Sequence, residues 1–310
     1  MRLFPVIIGP TAGGKTALSV GLAHRLRRRV DGPVEIISAD SMQVYRGMDI
    51  GTATPTIDER EGITHHLMDA RDPHETFTVS EWLDEANALI AGIRERAGVP
   101  IVVGGTHLYV KALLDGLFDG PPADEATRAE LGAMESAGLH AELSRVDPES
   151  ASRIHVNDRR RMIRALEVFR LTGTPISAVQ QQWDTTRRQD ALLVALQWPA
   201  EQINPRINER VREMMQDGLL EEVRALHEAD ALSEQSREAL GYKQLIEHLE
   251  GRVTLEEASE RIKIETRRFA KSQRTWIRRL GVSGPAMSIE ASEGTPEKWA
   301  ESVERALFGG

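Results

Sequence analysis

Cysteine is missing from all 310 residues. Disulfides and thiolate metal sites are therefore excluded. With no basic-then-apolar leader ahead of the first apolar run, a cytoplasmic protein is expected. No apolar stretch approaches the length of a membrane span, so no membrane partner is expected either. Positive charge is in deficit: 39 Lys and Arg against 48 Asp and Glu leave a formal net charge of −9. That argues against a uniformly basic nucleic-acid binder but leaves local basic faces open. Internal repeats and low-complexity tracts are also lacking. What remains is an ordinary globular composition, 40% hydrophobic and 28% charged. The length is large for one core, which predicts one large α/β domain with a smaller inserted or appended one.

The chain is organised around residues 3–16, LFPVIIGPTAGGKT. An apolar run (Leu3, Phe4, Val6, Ile7, Ile8) leads into Gly9, Pro10, Thr11, Ala12, Gly13, Gly14, Lys15 and Thr16, which fits the P-loop pattern G-x-x-x-x-G-K-[ST]. A strand before it and a helical pattern after it supply the context this pattern requires. In such a loop the glycines let successive backbone N–H groups turn inward, and the following helix adds its positive end. Lys15 offers a point charge to phosphate oxygens, and the Thr16 hydroxyl offers a ligand to Mg²⁺. The pattern points to a di- or triphosphate; the plain alternative is a glycine-rich turn with no ligand.

Downstream, Leu18, Leu22 and Leu26 form one stripe of a helix, Asp31-Gly32-Pro33 breaks it, and Val34 to Ile37 reads as the next parallel strand. Asp40 comes at the carboxyl end of that strand, where ligands sit in open α/β sheets. It is a carboxylate facing the phosphate site or a turn aspartate; spacing does not decide. His65 and His66 are adjacent and lack the i, i+4 spacing of helical metal ligands. An amphipathic helix over 80–97 should cross to a strand from Val99 to Val103, which ends in Gly104-Gly105-Thr106. Those glycines permit a close backbone approach to a ligand or simply a tight turn.

After Leu117 the texture changes, and roughly 119–190 reads as a helical insertion. Between 155 and 188 seven arginines (159, 160, 161, 164, 170, 187, 188) face three acids (158, 167, 184), net +4. A solvated helix face has the same look. Ala191 to Leu196 returns to the sheet, and a helix beginning near Pro205 carries Met214 and Met215 as core filling. A long helix over 255–280 holds eight basic residues against one acid between 261 and 280, net +7, with Phe269 and Trp276 interleaved. This is the strongest polyanion-binding signal in the chain. From about residue 284 the expectation is a weakly ordered tail with one short terminal helix.

Taken together, GPTAGGKT, ISADSMQVYRGMDIGTATP, THHLMDARDP, IVVGGTHLYVKALLDGL, NDRRRMIRALEVFRLTGTPIS, MMQDGLLEEV, ALGYKQL and TRRFAKSQRTWIRR resemble the tRNA dimethylallyltransferases (tRNA isopentenyltransferases) of bacterial type, nearly to residue 280. The resemblance implies a P-loop NTPase-like parallel sheet flanked by helices, with an inserted all-helical tRNA-binding domain. Its divisions would be a core over 1–118 and 191–310 and an insertion over 119–190. It implies transfer of a dimethylallyl group from dimethylallyl diphosphate to N6 of the adenine 3′ of the anticodon, with Mg²⁺ assisting departure of pyrophosphate. Partners would be the tRNA anticodon stem-loop and the prenyl diphosphate, and a monomer is expected.

Carried onto this sequence, the resemblance implies Asp40, Thr106 and Arg210 as catalytic residues and Gly9, Thr11, Ala12, Gly13, Gly14, Lys15 and Thr16 as the diphosphate loop, with Thr16 the metal ligand. Asp40, Ser41, Met42, Gln43, Thr106, Arg128, Arg160, Arg161, Arg164, Arg237, Gly241 and Tyr242 would meet tRNA. Gly13, Thr54, Arg160 and Ser272 depart from the commonest family wording; none of these changes removes Asp40, Lys15 or Thr16. The rivals are a P-loop small-molecule kinase, a nucleotide-gated RNA-binding protein, and a prenyltransferase acting on free adenine nucleotides. The kinase leaves the basic, aromatic-interleaved helix without a purpose, and the binding protein predicts that Asp40→Asn spares function.

Overall fold

Six short stretches pair as one wholly parallel sheet: β1 (Phe4–Ile8), β2 (Val34–Ala39), β3 (His65–His66), β4 (Val99–Gly104), β5 (Ala191–Gln197) and β6 (Ala286–Glu290). Their lateral order is β3-β2-β4-β1-β5-β6. The coordinates are a computed structural model, which describes residues 3–117, 120–180, 188–280 and 284–309. Every residue of β1, β2 and β4 is buried, because helices cover both faces of a parallel sheet. The pleat divides β1 accordingly: Phe4, Val6 and Ile8 join one core and Ile7 the other. Helices Val79–Glu95 and Leu255–Leu280 contribute Trp82, Ile90 and Ile277 to the first core, and helix Lys15–Leu26 contributes Leu18, Leu22 and Leu26 to the second. Among the described residues no helix is long and apolar enough to cross a membrane.

The chain divides into two compact units, Met1–Leu114 with Arg188–Gly310, and Asp115–Arg187. The division lies a few residues from the expected 119–190, because the Arg188 amide already bonds Leu114 O and ties the returning chain to the sheet unit. The second unit consists of short helices, Glu125–Gly132, Ser136–Val146, Pro148–Arg153, Arg159–Thr172 and Ile176–Gln180, around a core of its own with Leu131, Leu139, Leu143, Met162 and Leu166. Asp184 and Arg187 of the arginine-rich 155–188 run lie outside the described residues.

Two expectations are corrected, and the histidine pair is placed in an edge strand. The stretch after 284 is not a weakly ordered tail: β6 extends the sheet beside β5, and helix Pro296–Phe308 buries Trp299, Ala300 and Val303 in the second core. Glu304 of that helix also takes hydrogen bonds from Arg25 and Arg29, at 2.6 and 2.7 Å. The β6 sequence, AMSIE, is largely exposed and too weakly patterned to announce itself. His65 and His66 form an edge strand, with His66 Nε2 2.7 Å from Glu35 Oε2. Finally, the helix expected from Pro205 begins earlier, at Ala200.

Candidate active site

Parallel pairing sets the carboxyl ends of β2, β4 and β1 side by side, with Ala39 and Ile8 both in register with Gly104. The segments leaving these strands therefore converge: Asp40 after β2, Gly105-Thr106 after β4 and the P-loop after β1. A cavity of about 340 Å³ opens there, lined at one part by Thr11, Ala12, Asp40, Ser41, Thr106 and Arg210. Another part is apolar, with Val211, Met214, Leu219, Ile262 and Phe269. Such a shape suits a ligand with an anionic head and a hydrocarbon or aromatic body.

The P-loop is braced from outside its own sequence. Its Gly13 amide closes a turn onto Pro10 O at 3.1 Å, and Ala12 sits at φ +58°, in the left-handed region. Trp198, just past β5, donates from Nε1 to Gly13 O at 3.1 Å, and Arg206 donates from Nε to Ala12 O at 3.0 Å. These contacts offset the strain of a non-glycine residue in that conformation, which costs of order 1 kcal/mol or more. Lys15 Nζ donates to Gly9 O and Pro10 O at 3.1 and 3.0 Å. Burial lowers its pKa to about 8, against the pull of Asp40 and with a push from Arg210. An ammonium held so far from water is stabilised by an arriving anion and lost as pH rises through about 8.

Asp40 satisfies both of its readings at once. One carboxylate oxygen, Oδ1, accepts from the Met42 amide at 3.0 Å, as a turn aspartate does. Oδ2 makes no hydrogen bond among the described residues, and the residue lines the cavity. Thr106 Oγ1 accepts from the Ser41 amide at 3.0 Å and lies 3.3 Å from Ser41 Oγ, which locks the β4 loop to the Asp40 loop. Arg210 reaches the cavity from helix Ala200–Gln216 with no hydrogen bond or ion pair among the described residues. Burial pushes its pKa down from the usual guanidinium value, opposed by Glu59, Glu213 and Asp40 and assisted by Arg206.

Gln273 lies within the TRRFAKSQRTWIRR motif without being singled out there, and its amide joins the P-loop and the β4 loop. Oε1 accepts from the Thr11 amide at 2.8 Å, and Nε2 donates to Gly105 O at 3.1 Å. A Cβ on Gly105 would overlap that amide, so glycine is required there for close approach. The signal is hidden because position 273 falls inside a basic helix that reads as a surface element. Beside it, His107 stacks on Trp276 with ring centroids 5.6 Å apart. Burial and the neighbouring Lys15 lower its pKa to about 4, so it is neutral at physiological pH.

The other expected site residues do not all reach the cavity. Met42 and Gly241 line it, and so does Met214, which is therefore more than core filling. Gln43 does not: its Nε2 donates to Thr52 O and Ala53 O, and its Oε1 accepts from Ser38 Oγ. Tyr242 is fully buried and donates its hydroxyl to Glu222, so its side chain offers no surface to RNA. Arg237 bonds Glu250 Oε1 at 3.3 Å. Arg128 and Arg164 both bond the buried Glu167, Arg161 pairs with Asp158, and Arg160 is exposed with no partner among the described residues.

No group of three or more His, Cys, Asp or Glu side chains able to hold a metal occurs among the described residues. Thr16 lines an adjoining charged cleft with Glu59, Arg206, Glu209, Arg210 and Glu213. A divalent ion here would take one hydroxyl from the protein and its remaining oxygens from a diphosphate and water, which is the habit of Mg²⁺.

The IPP transferase family model matches residues 43–280. A tRNA dimethylallyltransferase of Geobacillus thermodenitrificans is 46% identical over 305 residues, covering 96% of this chain and 93% of that protein. The crystal structure of the full-length tRNA isopentenylpyrophosphate transferase from Bacillus halodurans superposes with a TM-score of 0.71 at 39% identity, covering 99% of this chain and 97% of that one. A eukaryotic dimethylallyltransferase acting on tRNA gives a TM-score of 0.80 at 30% identity, covering 94% of this chain and 75% of that one. The chain therefore belongs to the IPP transferase family, that of the tRNA dimethylallyltransferases.

Proposed function

We propose that this chain transfers a dimethylallyl group from dimethylallyl diphosphate to N6 of the adenine 3′ of the anticodon in tRNA. The observation that carries the reading is the cavity itself, where an unengaged carboxylate oxygen of Asp40 shares one apolar space with the P-loop and Arg210. The diphosphate would sit on the loop amides, Lys15 and Thr16, leaving the allylic chain in the apolar part. The target adenine would leave its stack and enter from the RNA, since a stacked base exposes N6 only at its edge. Thr16 would hold Mg²⁺, which would supply positive charge to the leaving pyrophosphate.

In the transfer the N6–C1 bond forms as the C1–O bond to pyrophosphate breaks. An aromatic amine is a poor nucleophile, and Asp40 Oδ2 is the acceptor for the N6 proton as the bond forms. Lys15 and Arg210 meet the growing charge on the leaving oxygens, where low solvent content makes each contact worth more than in water. Gln273 ties the P-loop to the β4 loop and Thr106 ties the β4 loop to the Asp40 loop, so that nucleophile and electrophile meet in line. The protein is read as a cytoplasmic monomer whose 115–187 unit grips the anticodon stem-loop.

The test supplies Mg²⁺, labelled dimethylallyl diphosphate and an unmodified tRNA with adenine 3′ of its anticodon, beside tubes holding AMP, labelled ATP or the Asp40→Asn variant. Label entering tRNA with the native protein, and falling by about 10²-fold or more in the variant while RNA binding is kept, is the expected result. Label appearing only in AMP would change the acceptor. ATP consumed without prenyl transfer would end the reading.

A further inference from the structure

The cavity wall contributed by Gly51, Thr52 and Ala53 is held in an unusual way. Three successive backbone N–H groups, those of Asp49, Ile50 and Gly51, donate to one carboxylate, Glu222, at 2.8, 2.8 and 3.1 Å. The buried Tyr242 hydroxyl donates to the same carboxylate. At the other end of the turn, Gln43 Nε2 donates to Thr52 O and Ala53 O at 3.3 and 3.2 Å. The turn needs such a clamp because Ala53 sits at φ +53°, where a side chain is disfavoured.

The clamp and the lining belong to the same pieces of chain. Leu219 begins helix Leu219–Glu228 and lines the cavity, and Glu222 lies three residues on, on the same helix face. Gly51 packs so closely on the Tyr242 ring that a Cβ there would overlap it, with Leu219 Cδ1 3.0 Å away. Burial and the Glu222 carboxylate both push the Tyr242 pKa upward, which keeps its hydroxyl a donor. A carboxylate accepts from all four donors, whereas an amide in its place would set its own N–H against at least one of them.

We propose that Glu222 is a positioning residue: acting through the amides of residues 49–51 and the Tyr242 hydroxyl, it sets the cavity wall and so limits the length of prenyl chain accepted. The wall lines the same cavity as Val211, Met214 and Leu219, the apolar lining that suits hydrocarbon, and Gly51 packs near Leu219. This inference rests on the proposed prenyl-transfer function.

The experiment compares native protein, Glu222→Gln and Tyr242→Phe, with tRNA as acceptor and dimethylallyl or geranyl diphosphate as donor. For Glu222→Gln the KM for dimethylallyl diphosphate should rise about tenfold with kcat within about threefold, and geranyl transfer relative to dimethylallyl should rise about tenfold. Native KM and native donor ratio in this variant, or a fall in kcat alone, would overturn the proposal. Should Glu222→Gln fail to fold, Tyr242→Phe keeps the three amide bonds and should show both shifts at about threefold. If it folds and shows neither, the proposal is equally overturned. Native protein that transfers no label would remove the prenyl reading and the inference with it, whereas native transfer with unchanged variants removes only the inference.

Discussion

In helix Arg159–Thr172 nearly every arginine is engaged, whereas half the basic residues of helix Leu255–Leu280 beyond residue 260 have no partner among the described residues. Arg159 donates to Ser136 and Gly132, Arg161 pairs with Asp158, Arg164 shares the buried Glu167 with Arg128, and Arg170 pairs with Glu130 and Glu142. Only Arg160 on that helix lacks a partner among the described residues. On the second helix Arg261 pairs with Glu247, Lys263 with Glu260, Arg267 with Asn208, and Arg274 donates to Trp198 O. Arg268, Lys271, Arg278 and Arg279 are exposed, without partners among the described residues, and fall on one stripe of the helix. The two runs look alike as strings of charge. Their difference teaches that a basic run reports a binding face only after its local acids are subtracted.

Substituting Glu167 by Ala should break the first half of that comparison most severely. The change leaves the Asp124 amide and two guanidinium groups without their shared acceptor, at a cost of about 3 kcal/mol. Denaturant unfolding of the variant should show a lower midpoint. Acid should have the same effect on the native chain. Burial alone would raise the Glu167 pKa, but hydrogen bonds from Arg128 and Arg164 hold it below its ordinary value of 4.5. Its contribution is therefore complete above that value and is lost as pH falls through the lower, folded one. A native chain whose stability held steady across that window would contradict the assignment.

Next in size is the fourfold change of Arg268, Lys271, Arg278 and Arg279 to Gln. Filter binding of tRNA should weaken by roughly 10²-fold at moderate salt, and the slope of log affinity against log salt should fall by roughly 3. Thermal stability should stay within about 0.5 kcal/mol of the native protein, because these side chains hold nothing in the fold. An unchanged slope would return the stripe to a merely solvated face. Smallest is Arg160→Gln, which should weaken tRNA binding by no more than about fivefold and lower the slope by less than about 1. A loss approaching roughly 10²-fold would mean that Arg160 alone contributes as much as the whole stripe.

Much of the site was legible because its signals are local. The P-loop is one continuous run, and Asp40 and Thr106 each come after a strand whose apolar pattern is plain. The residues that escaped act across long separations in the chain. Gln273 bonds Thr11 and Gly105, and Glu222 bonds the amides of 49–51. Tyr242 misleads for the complementary reason: its motif places it near the site, but its side chain is buried behind Gly51.

By itself, then, the amino-acid sequence determined the parallel α/β core and the P-loop pattern, since hydrophobic period, glycine spacing and strand-to-loop order are written within short windows, and it pointed to the family through the resemblance of its motifs. Tertiary structure alone decided which arginines were left over for a partner. It also decided which side chains brace the loops of the candidate site, and that β6 and the final helix complete the sheet unit. The physical reason is the same in each case: a charge or an amide is neutralised by whatever the fold brings within about 3 Å, and the chain carries no local mark of that neighbour.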